Sequence, residues 1–115
     1  MSVALPPILY RVVHDEVPTA RDFDSVMVLG RPLSRLYRQS PELWSGLSTY
    51  DLPGDAQNTS RNFPQHGLWI AELDVATMVA TRMIALRQTG PGGHHYTVWG
   101  RNSIFLGTIG RVWRA

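Results

Sequence analysis

Apolar residues recur along this chain in short bursts bounded by glycine, proline or acidic clusters, a pattern that favours a sheet protein over a helical bundle. Residues 8–13 (Ile-Leu-Tyr-Arg-Val-Val) are rich in β-branched and aromatic side chains and predict a first strand. The spacing of Phe23, Val26 and Met27 predicts an amphipathic helix opening at Pro18-Thr19. Thr19 is its cap, Asp22 follows three residues on, and Gly30 is its stop. Ser40-Pro41-Glu42 supplies the cap, first-turn proline and acid of a second short helix, ended by Gly46. Residues 47–50 (Leu-Ser-Thr-Tyr) predict a brief strand. Asp51 then caps a third helix over 53–62, with Ala56, Ser60 and Phe63 along its inner side. The clearest strand is 68–75, where Glu72 and Asp74 share one face. Residues 77–88 fit either helix or strand, and the expectation is a turn followed by a strand over 82–88. Gly90-Pro91-Gly92-Gly93 demands a loop, 96–99 a strand, 102–106 a turn or one helical turn, and 108–114 a last strand. The sum is one α+β domain over residues 1–115, with about six mostly antiparallel strands and two or three short helices.

Composition narrows the function classes. A chain of 115 residues with 43% apolar and 17% charged residues suits one domain with one core, and is not a disordered tail. The net charge is only +2, and all 11 basic residues are arginine. They are scattered from Arg11 to Arg114. The densest group, Arg31, Arg35 and Arg38, reads as solvated surface more readily than as phosphate contacts, so nucleic acid is not an expected partner. The absence of cysteine excludes disulfide scaffolds, thiolate zinc sites and cysteine nucleophiles, and is compatible with a cytoplasmic location. Residues 1–7 lack a basic segment and carry two prolines, so they do not read as a signal peptide. No apolar run reaches membrane-spanning length, and no membrane association is expected.

A few polar side chains stand where strands should be apolar. Arg11 shares a strand face with Leu9 and Val13. A guanidinium there either clamps an anion or amide in a cleft, or packs its stem and reaches water with its head. Ser48 and Tyr50 share a face of the second strand. Two hydroxyls and a ring there can hold a polar aromatic ligand, and a merely solvated face is the plainer alternative. His14 ends the first strand, and strand ends line clefts. Glu72 has three readings: an acid or base, an ion-pair partner for Arg11, or part of a solvated face with Asp74. The adjacent His94 and His95 would point to opposite sides of a strand, so they cannot share a metal, and no metal is expected. Ser48 lacks the G-x-S-x-G turn of a hydrolytic nucleophile, and the 90–93 loop lacks the helix a phosphate cradle requires.

The order of these features resembles the ADP-ribosyltransferase superfamily. There, a first strand carries a ligand-binding arginine or histidine, and a later strand carries a serine/threonine or tyrosine motif leading into a helix. Leu9-Tyr10-Arg11-Val12-Val13 matches the first element, and Leu47-Ser48-Thr49-Tyr50-Asp51 leading to the Ala56 helix matches the second. Small toxins of the RES type have a related layout. Uncharacterised actinobacterial proteins are similar at Leu9-Tyr10-Arg11-Val12-Val13-His14 and at Gly93-His94-His95 with Trp99-Gly100. The resemblance implies an ADP-ribosyltransferase-like fold in a toxin-like bacterial protein, with NAD as ligand or substrate and an antitoxin as partner. It implies ADP-ribosyl transfer or NAD hydrolysis as the activity. Arg11 would hold phosphate or ribose, Tyr50 would stack on nicotinamide, and Ser48 would frame the pocket. Glu72 would steady an oxocarbenium ion. One departure stands out: such domains carry their catalytic glutamate in the C-terminal part, and here no carboxylate side chain follows Asp74. The competing expectation is a non-enzymatic interaction module on the same fold, using arginines and exposed Trp44, Trp69, Trp99 and Trp113.

Overall fold

In the computed structural model, which describes residues 5–25, 27–30 and 41–115, the β-rich bursts become strands of one sheet. They are β1 (Ile8–Val13), β2 (Leu47–Tyr50), β3 (Trp69–Asp74), β4 (Ala85–Gln88), β5 (His95–Trp99) and β6 (Ile109–Arg114). Their order is β4-β5-β2-β1-β3-β6, and every neighbouring pair is antiparallel. Three α-helices accompany them among the described residues: α1 (Pro53–Asn62), α2 (Val75–Thr81) and α3 (Asn102–Leu106). Single 3-10 turns occupy Ala20–Phe23, Pro41–Ser45 and Pro64–His66. The result is a single compact α+β domain, with a Cα radius of gyration of 13.3 Å.

The period-two alternation of the strands divides the sheet into two unequal faces. On one face Leu9, Val13, Leu47, Ala71, Leu73 and Val98 form the main core, covered by Phe23, Val75, Met78 and Phe105. Phe23 and Phe105 stack with centroids 5.8 Å apart, which ties the first 3-10 turn to α3. On the other face Val12 and Ile70 form a smaller buried cluster with Ala56 of α1, with Tyr10, Tyr50, Trp113 and Ala115 at the margins.

Several local expectations change in the structure. The helix expected from Thr19 to Gly30 is a 3-10 turn that ends at Phe23. The Asp22 carboxylate reaches back to the Thr19 N–H, and Ser25 Oγ accepts from the Val28 N–H. Such short-range bonds offer the backbone an alternative to the helix. Met27 is exposed, and Val26 lies outside the described residues, as do Arg31, Arg35, Arg38 and the expected cap Ser40. Leu52, not Asp51, stands at the α1 N-cap, because the Asp51 carboxylate is bonded to His94. Phe63 is exposed, so the inner side of α1 consists of Ala56 and Ser60. Val75, expected to end a strand, and residues 77–81, expected as a turn, belong to α2, since Val75 and Met78 sit three apart and bury together. Arg82 in the left-handed conformation (φ 55°) ends it before β4 begins at Ala85.

Candidate functional site

Strand β1 pairs with its two neighbours very differently. With β3 it registers at six consecutive positions, from Ile8↔Asp74 to Val13↔Trp69. With β2 it registers only at Tyr10↔Tyr50. Past that pair the sheet opens, and a cavity of about 220 Å³ lies between the strands. Arg11, Val12 and His14 line it from β1 and its end, Gly46, Leu47, Ser48 and Tyr50 from β2 and its approach. Arg21, Asp22, Asp24 and Ser25 close one side, and Thr59, Gln65 and His66 close another.

Arg11 spans the opening. Its Nε donates to the Asp22 carbonyl and its Nη1 to the Ser48 carbonyl, each at 3.0 Å. Its guanidinium carbon lies 5.7 Å from the Phe23 ring centre. The side chain thus replaces ladder bonds that β1 and β2 do not make to each other, since buried carbonyls need donors. The neighbouring carboxylate of Asp22 is only 5% exposed and is bonded to main-chain donors: the His14 N–H at 2.8 Å and the Thr19 N–H at 3.0 Å. Among the described residues Arg11 has no carboxylate within ion-pair distance. Burial pulls its guanidinium down to about 10, against the opposing influence of Asp22 and Tyr50, so it remains a cation at neutral pH.

The other walls follow from local sequence. Ser60 Oγ donates to the Gly67 carbonyl at 2.6 Å, closing the turn after α1. Gly67 has φ 130°, and a Cβ there would collide with the Val13 carbonyl, so only glycine lets this turn press on the end of β1. That contact brings Gln65 and His66 to the cavity. Tyr50 packs edge-on against His95 with ring centres 5.2 Å apart. Burial holds His95 below the usual histidine value, opposed by a hydrogen bond with the Thr89 backbone. Thr89 Oγ1 also bonds His95 Nδ1 at 2.8 Å and Thr97 Oγ1 at 2.7 Å, which fixes the wall behind Tyr50.

Four of the five residues singled out from sequence therefore line one cavity: Arg11, His14, Ser48 and Tyr50. Glu72 does not line it. Glu72 opposes Tyr10 while Arg11 opposes Ala71, so the two side chains leave opposite faces of the sheet and cannot pair. The Glu72 carboxylate lies beside Gly110 of β6. His94 and His95 also part, His94 to Asp51 at 2.9 Å and His95 to Tyr50. No family model, curated protein or solved structure matches the chain.

The four tryptophans expected as exposed anchors are half-buried. Trp69 packs against the main core, Trp113 against the smaller one, and Trp99 Nε1 donates to the Glu42 carbonyl at 2.9 Å. The sequence reading missed Asp22, Asp24, Gln65 and His66 at the cavity. Asp22 carried a signal as the third residue after Thr19, but that signal points to a cap. Gln65 and His66 arrive through the Gly67 contact, which no strand pattern announces. Among the described residues, no three histidine or carboxylate side chains converge to hold a metal, and no helix is long and apolar enough to cross a membrane. What the cavity offers is a half-buried cation held by neutral carbonyls, hydroxyls of Ser48, Thr59 and Tyr50, and two imidazoles at the rim. That set suits a ligand that is anionic or rich in hydroxyls.

Proposed function

We propose that the opening between β1 and β2 binds NAD or a closely related nucleotide, the chain being an ADP-ribosyltransferase-like domain. The observation that carries this reading is the convergence of Arg11, His14, Ser48 and Tyr50 on one cavity, although they come from two strands far apart in sequence. Arg11 would serve phosphate or ribose oxygens, exchanging a backbone carbonyl for a charged acceptor. Tyr50, braced by His95, would lie against the nicotinamide, and Ser48 would frame the pocket. The volume of about 220 Å³ is below the roughly 300–1,000 Å³ of sites that enclose a whole drug-sized ligand. One end of a dinucleotide would enter, and the remainder would lie along the open side.

Binding is what this geometry supports most directly. ADP-ribosyl transfer or NAD hydrolysis would need an acid at the reacting ribose, and Glu72 stands outside the cavity. The carboxylates at the cavity are Asp22, committed to two backbone N–H groups, and Asp24, which accepts one hydrogen bond from Asn102 Nδ2 at 2.8 Å. Chemistry in this site would draw on Asp24. Equilibrium dialysis against labelled NAD, with chromatography for released nicotinamide, tests both levels. Retained NAD supports the binding reading, and released nicotinamide that Asp24→Asn abolishes adds catalysis. Dialysis with no retained or consumed NAD overturns the proposal.

A further inference from the structure

The two edges of the sheet are unlike. β4 is four residues long, and its Arg87 is engaged with Glu42 at 3.3 Å and stacked on Trp99. β6 is six residues long and, among the described residues, bonded only to β3. The Ala115 N–H donates to the Leu68 carbonyl at 2.9 Å, which sets the alternation of the ladder. Trp113 therefore turns its N–H toward β3, while Val112 and Arg114 turn theirs outward. An open row of backbone donors and acceptors is a template for another strand.

The side chains along this edge add charge. Arg111 stacks on Trp113 at 5.8 Å and Arg114 on Trp69 at 6.0 Å, one pair on each face of the sheet. Stacking orders a guanidinium while leaving its N–H fork free for a carboxylate. Both arginines are exposed, and neither has a carboxylate within ion-pair distance among the described residues. A second copy of β6 is a poor occupant, because the strand Ile-Gly-Arg-Val-Trp-Arg carries no carboxylate and would bring two more guanidiniums to the edge with no anion for any of them.

We propose that β6 is a docking edge for an extended acidic segment of another protein, which joins the sheet as a seventh strand. Its backbone pairs with the outward groups of Val112 and Arg114, and its carboxylates reach Arg111 and Arg114. Those arginines are three residues apart and leave opposite faces, so the partner's two acids must also stand three apart. Spacings of two or four would put both acids on one face. The surface is separate from the cavity, and the inference does not depend on nucleotide binding.

The test uses the full chain, isotopically labelled, and capped octapeptides of threonine and valine carrying two glutamates. At low ionic strength the peptide with glutamates three apart should shift the amides of 109–115 and leave those of 46–50 unchanged. Arg111→Glu with Arg114→Glu should weaken it by at least about tenfold, as should Val112→Pro, which removes an outward donor while sparing the bonds to β3. Moving the glutamates two apart should cost about tenfold, and lysine in their place should abolish binding. No binding, equal binding of the glutamate and lysine peptides, insensitivity to spacing, or shifts at the cavity would each overturn the proposal. A single-stranded RNA that outbinds the peptide and ignores Val112→Pro would overturn it too. If Val112→Pro does not fold, the charge-reversed variant and the peptide series decide alone.

Discussion

Strand β1 has two flanks, and they do different work. Toward β3 it is fully laddered, with Leu9 and Leu73 paired and both at zero exposure. Toward β2 it is paired at a single position, and what should be ladder is instead an arginine, two backbone carbonyls and a cavity. The comparison shows why Arg11 can occupy a core-facing position. The chain keeps its charge there by letting the sheet open and by supplying neutral acceptors from Asp22 and Ser48. The laddered flank holds the core, and the open flank is the proposed recognition site.

The closed flank should show the largest loss of stability. Leu73→Ala should cost about 2–5 kcal/mol in urea unfolding, because a buried leucine loses both its transfer energy and its packing. NAD affinity per folded molecule should be unchanged. If affinity falls in parallel with stability, the two flanks are not separable.

Arg11→Ala acts on the open flank. It removes two charge-assisted hydrogen bonds and should cost roughly 1.5–3 kcal/mol, together with ligand binding. Arg11→Lys keeps the charge but has no fork to reach both carbonyls, so it should recover little of either. A lysine variant with full affinity would mean that charge alone matters there.

Smaller effects sharpen the boundary. Thr49 Oγ1 donates to the Tyr96 carbonyl at 2.8 Å and is buried. Thr49→Val should cost about 1 kcal/mol by the same unfolding assay, with binding nearly intact. His95 gives a pH signature. Its folded-state value lies below the ordinary 6.5, so the unfolded chain binds the proton more readily. Its contribution to stability is complete above about 6.5 and is lost as pH falls through that value toward the folded one. His95→Gln should flatten that part of the stability–pH curve, and an unchanged slope would place the titration elsewhere. Least of all, Glu72→Gln should stay within about 0.5 kcal/mol and leave binding alone, since Glu72 is outside the cavity.

Much of the sheet was legible from the chain because strand identity is a local, period-two signal. The strand face shared by Leu9, Arg11 and Val13 follows from it directly, and the α1 span 53–62 follows from the helix-start residues ahead of it. The 75–81 helix was hidden by its β-branched residues Val75, Thr77, Val79 and Thr81, whose propensity leans toward strands until burial of Val75 and Met78 decides. The opening between β1 and β2 has no local signal at all, because it depends on which strands pair and where pairing stops. For the same reason residue type alone could name Arg11, His14, Ser48 and Tyr50, and only the resemblance put Arg11, Ser48 and Tyr50 around one pocket. For Glu72 the polarity within an apolar strand is visible from the chain, but its register opposite Tyr10, on the face away from Arg11, is not.

The most direct test of the open flank as a recognition site is calorimetric titration of NAD into the wild-type protein and into Arg11→Ala, both confirmed as folded by far-ultraviolet circular dichroism. The account predicts saturable binding to the wild type and at least about a tenfold loss in the variant. Equal affinity in the two proteins, or no binding to the wild type, would contradict it.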